Sequence, residues 1–319
     1  MRPDPMRSLK LKAPAKINLF LEVTGVLPDG YHDLATLFAR ISLADELTFR
    51  RTAKPGVSLK VAGPALFPPG RRPKCGASIS GLLPAKAGDN IVHKAAMAFF
   101  ETFGIKPAVE IRLVKKVPVG AGLGGGSSDA AAALKGLCRL YGVDARSNRG
   151  KLAAIALTLG SDVPFFLTEG AISAGTGRGE LLTPVKTKRR LPFIVLVYPG
   201  APVHTGPVYK ALKPPAPGET ERNLKKFRAL ANALKAGKPL RDWAPLLFNR
   251  LEEPVLPRHA AVRRARARLI EAGATAVLMS GSGASVFALT ESRAEAVKIS
   301  KIVKKTHYMV FIADFLLKS

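Results

Sequence analysis

Residues 118–134 read PVGAGLGGGSSDAAAAL. Five glycines fall within the seven positions 120–126, and two serines and an aspartate lead from them into four alanines. Glycine is among the poorest helix formers and alanine is the best, so flexible loop meets helix without a transition. Glycines let successive backbone N–H groups turn toward one point, and a helix N-terminus adds unsatisfied donors and partial positive charge. Together they make an anion site, with phosphate the usual occupant. The plain alternative is a flexible loop before a helix capped by Ser127, Ser128 or Asp129, but a cap does not need so many glycines.

Three familiar phosphate loops fit poorly. A Walker A loop ends in Gly-Lys-Ser/Thr, and here no lysine follows the glycines. A dinucleotide fingerprint matches in letters at Gly120, Gly122 and Gly125. It requires a buried parallel strand before it, whereas VEIRLVKKVP (109–118) alternates and carries Lys115, Lys116 and Pro118. A protein-kinase loop would be accompanied by VAIK, HRD and DFG, all absent. What remains is a glycine-serine loop holding phosphate on backbone amides and on the hydroxyls of Ser127 and Ser128.

Outward from this loop the chain mixes strands and helices without regular alternation, which points to an α+β fold. LKAPAKINLFLEVTG (11–25), ATLFARISLADELTFR and VSLKVAG read as strands of an antiparallel, β-rich start, with a turn at Asp29-Gly30. DNIVHKAAMAFFETFG (89–104) reads as a helix starting at Asp89 or Asn90 and stopping at Gly104. The glycine loop opens a helix to about Tyr141, and KLAAIALTLG (151–160) is another. Residues 63–88, dense in Pro, Gly and basic side chains, read as a surface loop. TPVKTKRRLP (183–192) reads as a linker, which divides the chain into residues 1–188 and 189–319. Beyond it come a buried strand at 191–200, helices within 211–245, and an arginine-bearing amphipathic helix at 260–273. AVLMSGSGASVFALT (276–290) is strand, glycine turn, strand, and YMVFIADFLL reads as a last buried strand.

The 319 residues include 47% hydrophobic side chains, enough for a sizeable core. Lys and Arg number 50 against 23 Asp and Glu, a formal charge of +27 that attracts polyanions: nucleic acid, acidic membrane or phosphorylated metabolites. The two cysteines, Cys75 and Cys138, form no CxxC pair, and the histidines show no metal-ligand spacing. A reduced, cytoplasmic setting is expected, without membrane insertion: the start has no apolar signal core and no apolar run reaches spanning length. A monomer and a homodimer both remain open.

The loop PVGAGLGGGSSDAAAAL resembles the phosphate loop of the GHMP kinases, the superfamily of galactokinase, homoserine kinase, mevalonate kinase and phosphomevalonate kinase. PAKINLFLEVTGVLPDGYHDLATLF (14–38), LGSDVPFFL (159–167) and SGSGASVFAL (280–289) are similar, in the same order, to one branch whose substrate carries a cytidine diphosphate group. The resemblance covers nearly the whole chain. It implies a two-domain α+β architecture, with an ATP-binding N-terminal domain like the second domain of ribosomal protein S5. It implies an ATP-dependent small-molecule kinase using Mg²⁺, with Asp162 as catalytic base and Lys16 as its charge partner. Pro118, Gly120, Gly122, Leu123, Gly124, Gly125, Gly126, Ser127 and Ser128 would hold ATP, with Asn90 near the adenine and Ser128 near the metal. Asn18, Tyr31, His32, Phe38, Thr205 and Tyr209 would hold the cytidine-bearing substrate. For each residue a structural role is the alternative: an N-cap for Asp162, an edge-strand lysine for Lys16, core for Phe38 and Tyr209. Nucleic-acid binding, suggested by charge alone, is disfavoured by the intact motifs.

Overall fold

Runs of β-branched and aromatic residues at the start of the chain form two long strands, β1 (Leu9–Val26) and β2 (His32–Arg51). They pair antiparallel from Leu9↔Phe49 to Val26↔His32, with register shifts after Pro14, Asn18 and Val23. The turn between them places Gly30 at φ 82°, where an L side chain would be strained. The structure is a computed structural model and describes residues 8–63, 87–187, 190–304 and 306–316. Cys75, nearly all of the 63–88 loop and the boundary between residues 188 and 189 lie outside the described residues.

β3 (Gly56–Ala62) leads across to α1 (Ile91–Phe103) and back to β4 (Ala108–Val114). The β3–β4 pair is parallel, so the start of the chain is not wholly antiparallel as its sequence suggests; the intervening helix makes the crossover. α1 buries Val92, Ala95, Ala96, Phe99 and Phe100, the i, i+3, i+4, i+7 stripe of an amphipathic helix. Asn90 caps it by accepting the Val92 N–H at 2.9 Å, and Gly104 ends it in the left-handed region.

α2 (Gly125–Tyr141) starts inside the glycine loop, with left-handed Gly124 at its cap position. The alternative of a helix capped by Ser127, Ser128 or Asp129 does not hold, because all three lie within the first turns. Ala130–Ala133 are buried on every side, and small side chains let α2 lie against α1, β1 and α4. α3 (Arg149–Leu159) and α4 (Val163–Leu167) follow, then β5 (Ile172–Thr176) and β6 (Leu181–Pro184).

β7 (Phe193–Tyr198) opens a second sheet and is buried at every position. α5 (Thr205–Lys210), α6 (Glu219–Lys235) and α7 (Leu240–Trp243) intervene before β8 (Phe248–Asn249), which returns to the first sheet beside β1. α8 (Glu252–Arg258) and α9 (Ala260–Glu271) precede β9 (Ala276–Met279) and β10 (Val286–Thr290), and α10 (Arg293–Val303) leads to β11 (Met309–Ala313). The first sheet runs β3-β4-β2-β1-β8 with β5 and β6 attached at β2; the second runs β11-β7-β10-β9. β11 is an edge strand, half-buried except at Ala313, rather than the fully buried strand its composition suggests.

Two cores result. α1, α2 and α4 cover one face of the first sheet through Leu47, Phe49, Ile111 and Leu113. Ile17, Leu19 and Phe20 of β1 join Val195, Leu196, Val286 and Phe287 of the second sheet in the other core. Among the described residues no helix is long and apolar enough to cross a membrane.

Candidate active site

A cavity of about 860 Å³ lies where the glycine loop, the β1–β2 ribbon, α5 and the β9–β10 turn meet. That volume suits a sizeable ligand. Its wall includes Pro118, Gly120, Gly122, Leu123, Gly124, Gly125, Gly126, Ser127 and Asn90. It also includes Lys16, Asn18, Tyr31, His32, Phe38, Asp162, Thr205 and Tyr209. Residues far apart in sequence and picked out separately are thus brought to one space. Ser128 is the exception: it is buried, its hydroxyl has no hydrogen-bond partner, and it is not part of the wall.

Lys16 projects from β1 with its Nζ 3.4 Å from an Asp162 carboxylate oxygen and 2.7 Å from Asn18 Oδ1. Asn18 in turn donates to Thr36 Oγ1 at 2.8 Å, and Thr36 donates to the Phe20 carbonyl at 2.7 Å. This chain of bonds fixes the ammonium, which stands 5.4 Å over the Phe38 ring. Phe38 is both core and cavity wall. Asp162 stands at the N-cap position of α4, yet its side chain makes no capping bond and is free for Lys16. The pair is partly open to solvent on the aspartate side, with Asp162 about one-third exposed and Lys16 nearly buried.

The glycine loop is gripped from both sheets. Lys16 N–H donates to the Leu123 carbonyl at 2.9 Å. Ser280 Oγ donates to the Gly122 carbonyl at 2.9 Å and the Ser285 N–H to the Ala121 carbonyl at 3.1 Å. Gly122 has φ 72°, and a Cβ there would lie 2.1 Å from the Ser280 carbonyl oxygen, so only glycine fits. The SGSG turn of residues 280–283 is held in place by Asn249, whose Nδ2 donates to the Met279 and Gly281 carbonyls.

Beneath the loop lies a trio that the sequence did not single out. Buried Lys115 pairs with Asp45 and, at 2.7 Å, with Asp129. Burial disfavours the Lys115 charge, but Asp129 and Asp45 outweigh it and hold its pKa above the usual lysine value. Burial pushes the Asp129 carboxyl up against the pull of Lys115. The alternation of 109–118 is legible in the sequence, but not that just beyond β4 Lys116 turns outward to Glu46 and Lys115 inward.

The aromatic part of the wall is made by Tyr31, His32 and Tyr209. The His32 and Tyr209 rings lie 4.7 Å apart, and burial, with Asp162 nearby, pushes the Tyr209 hydroxyl above its ordinary pKa. Tyr31 is 55% exposed, unusual for a large ring. Arg178, from the β5–β6 turn, lies 4.1 Å over that ring and pairs with Asp29. Arg178 lines the cavity and gave no signal in sequence, because its partner is 149 residues away. Thr205 meets Ser282 of the glycine turn at 2.8 Å between hydroxyls.

An anion loop opening a helix, with an ammonium–carboxylate pair facing the same space, has the parts that a phosphoryl-transfer enzyme needs. Residues 90–170 match the GHMP kinases N terminal domain and residues 222–308 the GHMP kinases C terminal domain. A 4-diphosphocytidyl-2-C-methyl-D-erythritol kinase of Geobacter sulfurreducens is 37% identical over 94% of this chain and 96% of its own length. One from Anaeromyxobacter dehalogenans is 41% identical over 89% of this chain and 81% of its own. A crystal structure of 4-(cytidine 5'-diphospho)-2C-methyl-D-erythritol kinase superposes with a TM-score of 0.71 at 32% identity, over 96% of this chain and 99% of that one. The chain belongs to the GHMP kinases and, among them, to the family of 4-diphosphocytidyl-2-C-methyl-D-erythritol kinases.

Proposed function

We infer that the chain transfers the γ-phosphoryl group of ATP to the 2-hydroxyl of 4-diphosphocytidyl-2-C-methyl-D-erythritol, in the non-mevalonate route to isoprenoid precursors. One observation carries this: the Lys16–Asp162 pair shares a single cavity with the glycine loop and with the Tyr31, His32 and Tyr209 rings. Phosphoryl transfer needs positioning and charge stabilisation more than covalent participation by protein. The amides of residues 120–127 cradle the ATP phosphates, and Asn90 borders the adenine. Asp162 takes the proton of the attacking hydroxyl, and Lys16 steadies the developing alkoxide. Tyr31, His32 and Tyr209 hold the cytosine by stacking and hydrogen bonding, with Phe38, Asn18 and Thr205 around the remainder of the substrate.

Mg²⁺ suits the protein atoms available. Among the described residues no group of three acidic, His or Cys side chains could cage a metal, so phosphate oxygens and water would supply most ligands. Asp129 lines the cavity, and its buried Oδ1, which has no hydrogen-bond partner, would hold the ion; the Ser128 hydroxyl, equally unpartnered but outside the wall, stands next to it in sequence. Bound there, the ion would neutralise charge on the phosphates. The change of sheet between Pro184 and Phe193 supports an ATP-binding domain of residues 1–188 and a second domain of 189–319. Buried, unpaired Cys138 supports a cytoplasmic setting.

The test is ADP release with ATP and Mg²⁺, comparing the cytidylated erythritol with mevalonate and homoserine. Turnover on the first alone is expected. Equal turnover on another acceptor would discard the cytosine assignment and keep the kinase.

A further inference from the structure

We propose that Arg40 and Lys135 are positioning residues for phosphoryl transfer: they hold the C-terminal end of α4 and so set Asp162, at its start, against Lys16. Arg40 is 1% exposed, and among the described residues no carboxylate pairs with it. A buried guanidinium without a counter-ion is costly, and an apolar side chain of its size would serve a core better. Its donors are instead spent on the end of one short helix. They reach the Gly170 carbonyl at 2.6 Å, the Thr168 carbonyl at 2.7 Å, Thr168 Oγ1 at 3.1 Å and the Phe165 carbonyl. The guanidinium also lies 4.7 Å over the Phe165 ring. Lys135, from α2, donates to the Phe166 carbonyl at 2.6 Å.

These contacts answer a need. The last four carbonyls of a helix lack partners within it, and α4 has only five residues, too few to hold itself. At its other end Asp162 leaves the capping position unused and turns its carboxylate to Lys16. Lys16 and Arg40 are direct cross-strand partners in the β1–β2 register. One point of the ribbon therefore grips both ends of α4, the carboxylate through Lys16 and the carbonyls through Arg40. Lys135 adds a tie to the helix that begins at the glycine loop, so the phosphate site and the carboxylate share one rigid frame. A displacement of about 1 Å between reacting groups costs on the order of a hundredfold in rate, which makes such a frame worth its buried charges.

The proposal rests on Asp162 acting as the base, and the experiment separates the two. Full-length Asp162→Asn, Lys135→Met, Lys135→Arg, Arg40→Met and Arg40→Lys are compared by steady-state kinetics with ATP and 4-diphosphocytidyl-2-C-methyl-D-erythritol. Melting curves first identify any variant that does not fold, and if Arg40→Met is one, Lys135→Met decides. Lys135→Met is expected to lower kcat about tenfold to a hundredfold with both KM values within about twofold, and Lys135→Arg to restore most of it. Arg40→Met should lower kcat in the same way, and Arg40→Lys, whose one ammonium replaces two donor nitrogens, should restore it only in part. Adding Lys135→Met to Asp162→Asn should change the residual rate by less than about twofold, because both act through one carboxylate. Wild-type kcat in Lys135→Met, or a fully additive loss in the double variant, overturns the proposal and leaves Asp162 in place. Wild-type turnover by Asp162→Asn overturns the base assignment and the proposal with it.

Discussion

At the scale of single residues, the proposed site separates groups assigned to the chemistry from groups that hold. Asp162 is partly exposed and makes no capping bond to α4, and asparagine keeps an acceptor for Lys16, so Asp162→Asn should lower the melting temperature by no more than about 4 °C while kcat falls about a hundredfold or more. Thermal melts and ADP release on the same preparation check both halves. Tyr31 is similarly free of structural duty, being more than half exposed. Base–aromatic stacking contributes about 1–3 kcal/mol, so Tyr31→Ala should raise KM for the cytidylated substrate about tenfold with little change in kcat or in KM for ATP. Arg178→Ala should move the same parameter in the same direction, since it leaves one face of that ring uncovered. Lys16, Asp162 and the Tyr31-His32 pair could be picked out as candidates because each sits in a short block that carries the family resemblance, and the fold brings all four to one cavity. Arg178, Lys115 and Asp129 could not be picked out, because their partners come from strands and turns that only the fold brings near. A guanidinium in the sequence GTGRGE carries no mark of the ring beneath it.

At the scale of elements, the glycine loop is shaped by what presses on it. A methyl at Gly122 would collide with the Ser280 carbonyl, and the φ of 72° adds backbone strain, so Gly122→Ala should cost about 3 kcal/mol or more. A methyl at Gly126 meets only Ile91 Cγ2, at 3.8 Å, and lies within α2, so Gly126→Ala should raise stability by about 0.5–1 kcal/mol. Chemical denaturation of the two variants tests the contrast. α4 brings a pH dependence. Burial first, then Arg40 and Arg139, lowers Lys135 to about 8, with Glu169 opposing. Between that value and the ordinary lysine value near 10.4 the unfolded chain binds the extra proton, so this group's contribution to stability rises with pH across that window. The rise should be absent from Lys135→Met in denaturation curves measured from about pH 7.5 to 10. Helices were the best-read elements: the stripe of α1 and its two caps follow from sequence directly. The start of α2 inside the glycine loop was also legible, and the rejected alternative, a cap at Ser127, Ser128 or Asp129, fails because glycine takes the cap position.

At the scale of the whole molecule, the two sheets do not form separate bodies. β1 belongs to the first sheet by hydrogen bonding and to the second by its side chains, and β8 returns across the junction to pair with it. Unfolding should therefore be one cooperative transition, with calorimetric and van't Hoff enthalpies equal and buried Trp243 reporting the same midpoint as far-ultraviolet circular dichroism. Two resolved transitions would contradict the shared core. Part of the large positive charge is used internally: in α9, Arg263 caps the Leu256 and Pro257 carbonyls, and Arg266 and Arg268 pair with Glu252 and Glu271. The contact of Ser280 with Gly122 spans 158 positions of the chain. On a ribosome the glycine loop is made long before the turn that braces it. A nascent chain carrying every residue of the glycine loop still lacks the wall behind it and exposes the apolar face of β1. The kinase thus comes into being late in its own synthesis, and the interval before that is when it most needs shelter from aggregation.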